Sequence, residues 1–354
     1  MNRPFFSLII PCHNSKMIKP LFDSLTRQGI KKDDLEVIIV DDNSDDRSYL
    51  ELFLKYDFRY KFTYTKKDSI HCPGNTRRQG MNYVSGKWLF FADHDDYFQD
   101  GVLKHIKDYI ESVKDHTVYE IITNIQYKRI DGEVLWTGGC NNSWLHGKWY
   151  NVDKLIKPYK INFKPDLFAN EDCYFNCTVF NTLIEMDKDF DYLDVLSYTW
   201  LANPNSLSNK KDSDDDRGYF FNHFSDFIYA VTEPFMENAI NTKDDRYIRH
   251  VISGLMFSYF YYEVADYYSD ISKFQDVYWL IKSLVIRIID EIGLSAYDIV
   301  NYVYSDIVFY EKNFRDSLIF MGPYIPRTSF QDFIMEISKT DLTDILGNFT
   351  LPSE

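Results

Sequence analysis

Three groups of carboxylates in the first half of this 354-residue chain have the types and spacing to do chemistry. Asp41 and Asp42 close the apolar run Leu35–Val40. Asp93, Asp95 and Asp96, with His94 among them, close the run Phe90-Phe91-Ala92. Glu171 and Asp172 stand directly before the run Cys173–Leu183. Acids gathered at strand ends repel one another unless a cation lies between them. Such oxygen-rich clusters suit hard cations, and Mg²⁺-type ions usually take one or two carboxylates together with substrate phosphates. The 93–96 cluster therefore implies metal-assisted chemistry on a phosphorylated compound.

The elements that must position these groups alternate. Residues 5–10, 35–40 and 87–92 read as strands, with an extended piece at 62–64. Residues 15–28, 45–56 and 74–85 read as helices, the first with Leu21, Phe22 and Leu25 at helical spacing. This alternation predicts an α/β fold with a mainly parallel central sheet, covered on both faces. Ligands of such sheets bind beyond the carboxyl ends of the strands. Pro11, Asp41, Asp42 and Asp93 to Asp96 all fall on that edge. Residues 118–127 and 192–198 read as further strands, and Asn170 as the cap of a helix beginning near 171. His94, extrapolated as part of a strand, is expected on the face opposite Asp93 and Asp95.

The polar stretch Asn203–Asp216, which holds Lys210-Lys211 and Asp214-Asp215-Asp216, reads as a linker or loop. Beyond it, 219–231, 245–262, 274–292 and 330–346 carry helical spacing. The predicted organisation is a catalytic domain over 1–210 and a mostly α-helical C-terminal domain over 211–354, the latter suited to acceptor choice or homo-oligomer formation. Its aromatic run Phe257–Tyr262 is expected in the core.

Bulk properties narrow the function. With 45% hydrophobic and 26% charged residues the chain is globular. A net charge of −15 argues against extended nucleic-acid binding, whose footprint is basic. The five cysteines, Cys12, Cys72, Cys140, Cys173 and Cys177, follow neither a zinc pattern nor a paired framework, and fit packing thiols in a reducing compartment. The N-terminal apolar run is short, β-like and broken by Pro11, unlike a signal peptide. No stretch reaches the roughly 18 uninterrupted apolar residues of a membrane span. A cytoplasmic protein, with peripheral membrane contact at most, is the expectation.

Five motifs occur in order: Ser7-Leu8-Ile9-Ile10-Pro11-Cys12-His13-Asn14, Val40-Asp41-Asp42-Asn43-Ser44, Arg77-Arg78-Gln79-Gly80, Asp93-His94-Asp95-Asp96 and Glu171-Asp172. Together they resemble the family 2 glycosyltransferases, inverting enzymes of GT-A fold, over roughly residues 5–210. The resemblance implies a nucleotide-sugar donor, with UDP-sugars favoured, Mn²⁺ or Mg²⁺ as cofactor, and a glycan or other hydroxyl acceptor. It implies that Asp42, beside Asp41, accepts a hydrogen bond from the donor base, and that Pro11 and Asn14 shape the nucleoside pocket. It places Arg77 against the diphosphate. The family usually follows that arginine with Asn, and Arg78 here leaves open which of the two points inward. It makes Asp95 the metal ligand with Asp93 as helper, and Asp172, with Glu171 beside it, the general base. Trp144, His146 and Trp149 become candidates for contact with a sugar, and Trp200 with Asn203–Ser208 for a loop over the diphosphate.

Other classes stay in view. A nucleotidyltransferase also pairs an α/β sheet with an acidic metal site, but commonly opens on a Gly-rich loop that Pro11-Cys12-His13-Asn14 does not provide. A phage-type transferase acting on modified DNA bases, and a non-catalytic scaffold built on a decayed transferase domain, are the remaining alternatives.

Overall fold

The computed structural model describes residues 2–66, 71–113, 117–139, 144–203, 223–268, 275–305 and 330–339. The chain divides into two compact units, Met1–Asp226 and Phe227–Glu354. The expected boundary at 210, the Asn203–Asp216 linker beyond its first residue, and Cys140 lie outside the described residues.

The first unit is built on a nine-stranded sheet. Its strands are β1 (Phe6–Cys12), β2 (Leu35–Asp41), β3 (Arg59–Tyr64), β4 (Trp88–Phe91), β5 (Tyr97–Phe98), β6 (Glu120–Arg129), β7 (Val134–Gly139), β8 (Lys148–Asn151) and β9 (Asp191–Ala202). The order is β3-β2-β1-β4-β8-β6-β9-β5, with β7 paired to β6. The first four strands are parallel, as the alternation predicts. From β8 onward the sheet is mixed. β8 runs antiparallel to β4 and β6, β6 runs parallel to β9, and β5 returns antiparallel to β9. β8 was not anticipated because four residues carry too little periodicity to mark a strand.

Alternation along the central strands sends successive side chains to opposite faces. Phe6, Leu8 and Ile10 of β1, with Val37 and Ile39 of β2, enter one core cluster. Ile9, Ile38 and Val40 enter the other. Both faces are buried, as parallel strands require. β1 continues through Pro11, past Ile9, the last residue that β4 pairs, so the missing N–H costs no bond to that neighbour.

Helices α1 (Lys19–Thr26), α2 (Ser48–Phe53), α3 (Pro73–Met81), α4 (Val102–Ser112) and α5 (Glu171–Glu185) flank the sheet. Pro73 opens α3, where its fixed φ suits the first helical turn. Gly80 lets α3 lie against the sheet, since a Cβ there would stand 2.8 Å from Ile9 and 3.0 Å from Val40. Asn170 occupies the cap position of α5 but makes no side-chain cap bond. Its backbone is left-handed, with φ at 59°, and its Nδ2 is buried without a partner.

The second unit is helical: α6 (Phe224–Thr242, entering from the first unit), α7 (Asp245–Tyr268), α8 (Gln275–Arg287), α9 (Ala296–Ser305) and α10 (Phe330–Lys339). α9 was not foreseen, and 340–346 lies outside the described residues. Tyr259 and Phe260 are buried, as the aromatic run suggested. Among the described residues no helix is long and apolar enough to cross a membrane. The four cysteines described are free and buried, and burial pushes the Cys12 thiol up to about 12.

Candidate active site

Every carboxylate group singled out in the sequence sits at or beyond the carboxyl ends of the parallel strands, or is linked there by a direct contact. At the end of β2 the two neighbours part company. Asp41 is fully buried, and its carboxylate accepts from the Tyr49 hydroxyl, the Ser44 N–H and Arg47, which ties the β2–α2 connection down. Asp42 is half-buried. Its Oδ1 accepts from Thr65 Oγ1 at 2.6 Å and pairs with His71 Nδ1 at 2.8 Å. Asn14, in a left-handed conformation with φ at 48°, donates its N–H to Ser44 Oγ and accepts the Asp46 N–H on Oδ1. It braces the loops after β1 and β2 against each other.

β4 ends at Phe91, so His94 lies in a turn and strand alternation does not govern it. The three acids of this turn have separate surroundings. Asp96 is completely buried. Its oxygens accept from Tyr198 Oη and the Leu201 N–H, both at 2.8 Å. Asp95 is half-buried and accepts from Asn203 Nδ2 at 2.8 Å. Asp93 meets Arg77 Nη2 at 2.5 Å and His146 Nε2 at 3.3 Å. The His146 ring stacks on Tyr198, with centroids 4.7 Å apart, and its Nδ1 is buried without a partner.

Arg77 resolves the choice between the paired arginines. It is 5% exposed, whereas Arg78 is exposed to solvent. Its Nη1 donates to Glu171 Oε1 at 2.6 Å, so one guanidinium spans the turn after β4 and the first residue of α5. Gly74, one turn earlier on the same face of α3, makes this reach workable: a Cβ there would stand 2.7 Å from Glu171 Cβ. Asp172 follows, its Oδ1 accepting the Cys173 N–H at 2.8 Å.

The electrostatics separate these acids further. Burial raises the Asp96 carboxyl well above its ordinary range, and Asp93 and Asp95 add to the rise. Asp93 goes the other way: burial opposes ionisation, but the Arg77 and His146 contacts outweigh it and hold the group well below the usual carboxylate range. Burial and the neighbouring Glu171 push Asp172 up to about 7 against the pull of Arg77. Burial likewise raises Glu171. Asp172 is therefore half ionised near neutrality, the condition for a general base.

Residues 7–181 match the model of glycosyl transferase family 2. This segment is a glycosyl transferase family 2 domain. The poly(ribitol-phosphate) beta-glucosyltransferase of Bacillus spizizenii is 27% identical over 206 residues, which cover 52% of this chain and 31% of the relative. The poly(ribitol-phosphate) beta-N-acetylglucosaminyltransferase TarS of Staphylococcus aureus is 32% identical over 108 residues, 30% of this chain and 19% of that protein. The chain thus spans less than a third of the length of these curated relatives. Among solved structures, S. aureus TarS 1-349 in complex with UDP-GlcNAc superposes with a TM-score of 0.63 at 20% identity, covering 88% of this chain and 92% of that one. The likeness establishes a GT-A fold for the family 2 domain.

Several neighbours of the site escaped the sequence reading. Thr65 and His71 lie on Asp42, and Tyr198 and Leu201 on Asp96. His146 was read as a contact for sugar, but it stands on Asp93. Trp149 is wholly buried against Phe90 in the core, whereas Trp144 is half-buried and packs on Trp200. The 93–96 turn also fits a hard divalent ion. Asp93, Asp96 and His146 each offer a ligand atom, all within 4.8 Å of one another. Asp96 is fully buried, so the half-exposed carboxylates of Asp93 and Asp95 are the better-placed donors. Oxygen donors with one imidazole nearby suit Mn²⁺ or Mg²⁺.

Proposed function

We propose that the family 2 domain transfers a sugar, with inversion, from a UDP-sugar to a hydroxyl of a cell-surface glycan or polyol-phosphate polymer. The observation that carries this reading is the juxtaposition of two unlike carboxylates. Asp93, held ionised, is bridged by Arg77 to the start of α5, where Asp172 is pushed up to about 7. One belongs to the donor side and the other to acceptor activation. Asp42, with Oδ1 anchored by Thr65 and His71, accepts the imide N–H of the base through its other oxygen. Pro11 and Asn14 hold the loop around that pocket. Asp95 and Asp93 would hold Mn²⁺ or Mg²⁺, which would supply neutralisation of the charge on the diphosphate. Asp172 takes the proton of the acceptor hydroxyl as it attacks the anomeric carbon, with much of the effect coming from alignment.

The acceptor class follows the names of the relatives, whose acceptor in both cases is poly(ribitol phosphate), and the UDP-sugar follows the TarS complex. A site facing the cytoplasm would meet the UDP-sugar pool. The test is release of UDP from UDP-glucose and UDP-N-acetylglucosamine, with Mn²⁺, in the presence and absence of poly(ribitol phosphate). Acceptor-stimulated release with one donor is the expected outcome. No release with any nucleotide-sugar would remove the transferase reading.

A further inference from the structure

Sequence resemblance set Arg77 against the donor diphosphate. The geometry points to a different task, and we propose that Arg77 is a positioning residue. Its guanidinium holds Asp93 and Glu171 at a fixed separation, and so keeps the donor-side turn and the helix that carries Asp172 in register. This inference rests on the reading above, in which Asp93 lies on the donor side and Asp172 is the base.

Three observations carry it. First, the two terminal nitrogens serve different carboxylates, Nη1 donating to Glu171 at 2.6 Å and Nη2 to Asp93 at 2.5 Å, across sequence separations of 94 and 16 residues. A planar fork fixes distance and angle together, as the mobile point charge of a lysine does not. Second, the side chain is nine-tenths or more buried, and its Nε is enclosed without a partner. A phosphate that took over either of the nitrogens used here would displace one of two buried ion pairs. The phosphate would then sit beside the ionised Asp93, whose charge repels it. Third, the approach of α3 to α5 is shaped for this bridge. Gly74 leaves no room for a Cβ against Glu171, and Arg77 follows on the same face one turn later.

The chemistry makes register valuable. In-line attack needs the acceptor oxygen, the anomeric carbon and the leaving phosphate aligned, and small misplacements cost large factors in rate. The two carboxylate groups come from separate segments, the turn after β4 and the start of α5. Arg77, from a third segment, joins them directly.

The experiment compares the full chain with Arg77→Lys and Arg77→Met. UDP affinity is measured by calorimetry with Mn²⁺, turnover by UDP release, and rescue by adding guanidinium ion. A positioning role predicts that Arg77→Met keeps UDP affinity within about threefold while kcat falls by about a hundredfold. Guanidinium should recover part of that loss in Arg77→Met and do nothing for the wild type. Arg77→Lys, which reaches one carboxylate at a time, should fall between. A loss of UDP affinity by more than about tenfold, with no rescue, would make Arg77 a phosphate-binding residue and overturn the proposal. Melting temperatures give a readout independent of turnover, with Arg77→Lys in place of Arg77→Met if the latter does not fold. The double change with Glu171→Gln should lose less than the sum of the two single changes. Additive losses would refute the bridge. Non-additive melting with no turnover from the wild type would support the bridge while removing the transferase reading.

Discussion

Two buried carboxylate systems sit at opposite ends of the same parallel strands, and they are built in opposite ways. At the amino end, Glu36 is fully buried and saturated. It accepts from Ser7 Oγ, the Ser85 N–H and Oγ and the Gly86 N–H, and it pairs with Lys61. Burial alone would raise this carboxyl, yet the donors win and it titrates below its ordinary range. At the carboxyl end, Asp172 has one backbone donor and a second acid beside it, and it is pushed up to about 7. Ionised groups in a structural network are satisfied, because an unsatisfied one is costly. An under-satisfied acid beside a strand-end carboxylate cluster is what a general base requires.

Substitution should separate the two most sharply at Asp172. Asp172→Asn is expected to lower turnover by roughly 10²–10⁴-fold, with no loss of melting temperature, measured by UDP release and thermal unfolding. Glu36→Ala should do the reverse. Stripping the carboxylate from Ser7, Ser85, Gly86 and Lys61 is expected to cost about 3 kcal/mol in urea unfolding, with kcat of the remaining folded protein unchanged. If Glu36→Ala lost kcat at full stability, the division between the two ends would fail.

The pH dependence sharpens the same contrast. Asp172 titrates at 3.8 in its ordinary state and at about 7 when folded. The folded protein therefore keeps a proton that the unfolded chain has released, and this group lowers stability as pH rises across that window. Glu36 has the opposite sign. Its contribution is present above its ordinary value of 4.5 and disappears as pH falls through the lowered folded value. Activity should rise with pH through about 7 as Asp172 ionises, read from kcat, and Asp172→Asn should flatten the stability slope over the same window. The smallest effect is expected from Gly74→Ala, which adds a methyl 2.7 Å from Glu171 Cβ. The cost should be about 1–3 kcal/mol, together with a loss of kcat, because α3 and α5 must separate where Arg77 bridges them.

What the sequence made legible follows from what is local. The parallel strands, their acidic ends and the helices between them are written in short-range periodicity, and so are most helices of the second unit. Asp96, by contrast, is tied into its turn by bonds to Tyr198 and Leu201. The contacts of His146 with Asp93 and of Tyr198 with Asp96 were not readable. They depend on β8, β6 and β9 inserting beside β4 out of chain order, which no local pattern encodes. Arg77 and Arg78 were indistinguishable as neighbours of one type. The readable signal was Gly74, three residues before Arg77, which marks the helix face that must come close to another element. Asp41 and Asp42 were paired as pocket residues, and only Tyr49 and Arg47 reveal that Asp41 is used inside the fold.

The most direct test of the donor site is a crystal structure with a UDP-sugar and Mn²⁺ bound. The account predicts the uracil imide on Asp42, the anomalous signal of the metal at the Asp93–Asp96 turn with Asp95 among its ligands, and the anomeric carbon facing Asp172. A nucleotide bound away from Asp42, or a metal held elsewhere with Asp172 turned from the sugar, would contradict it.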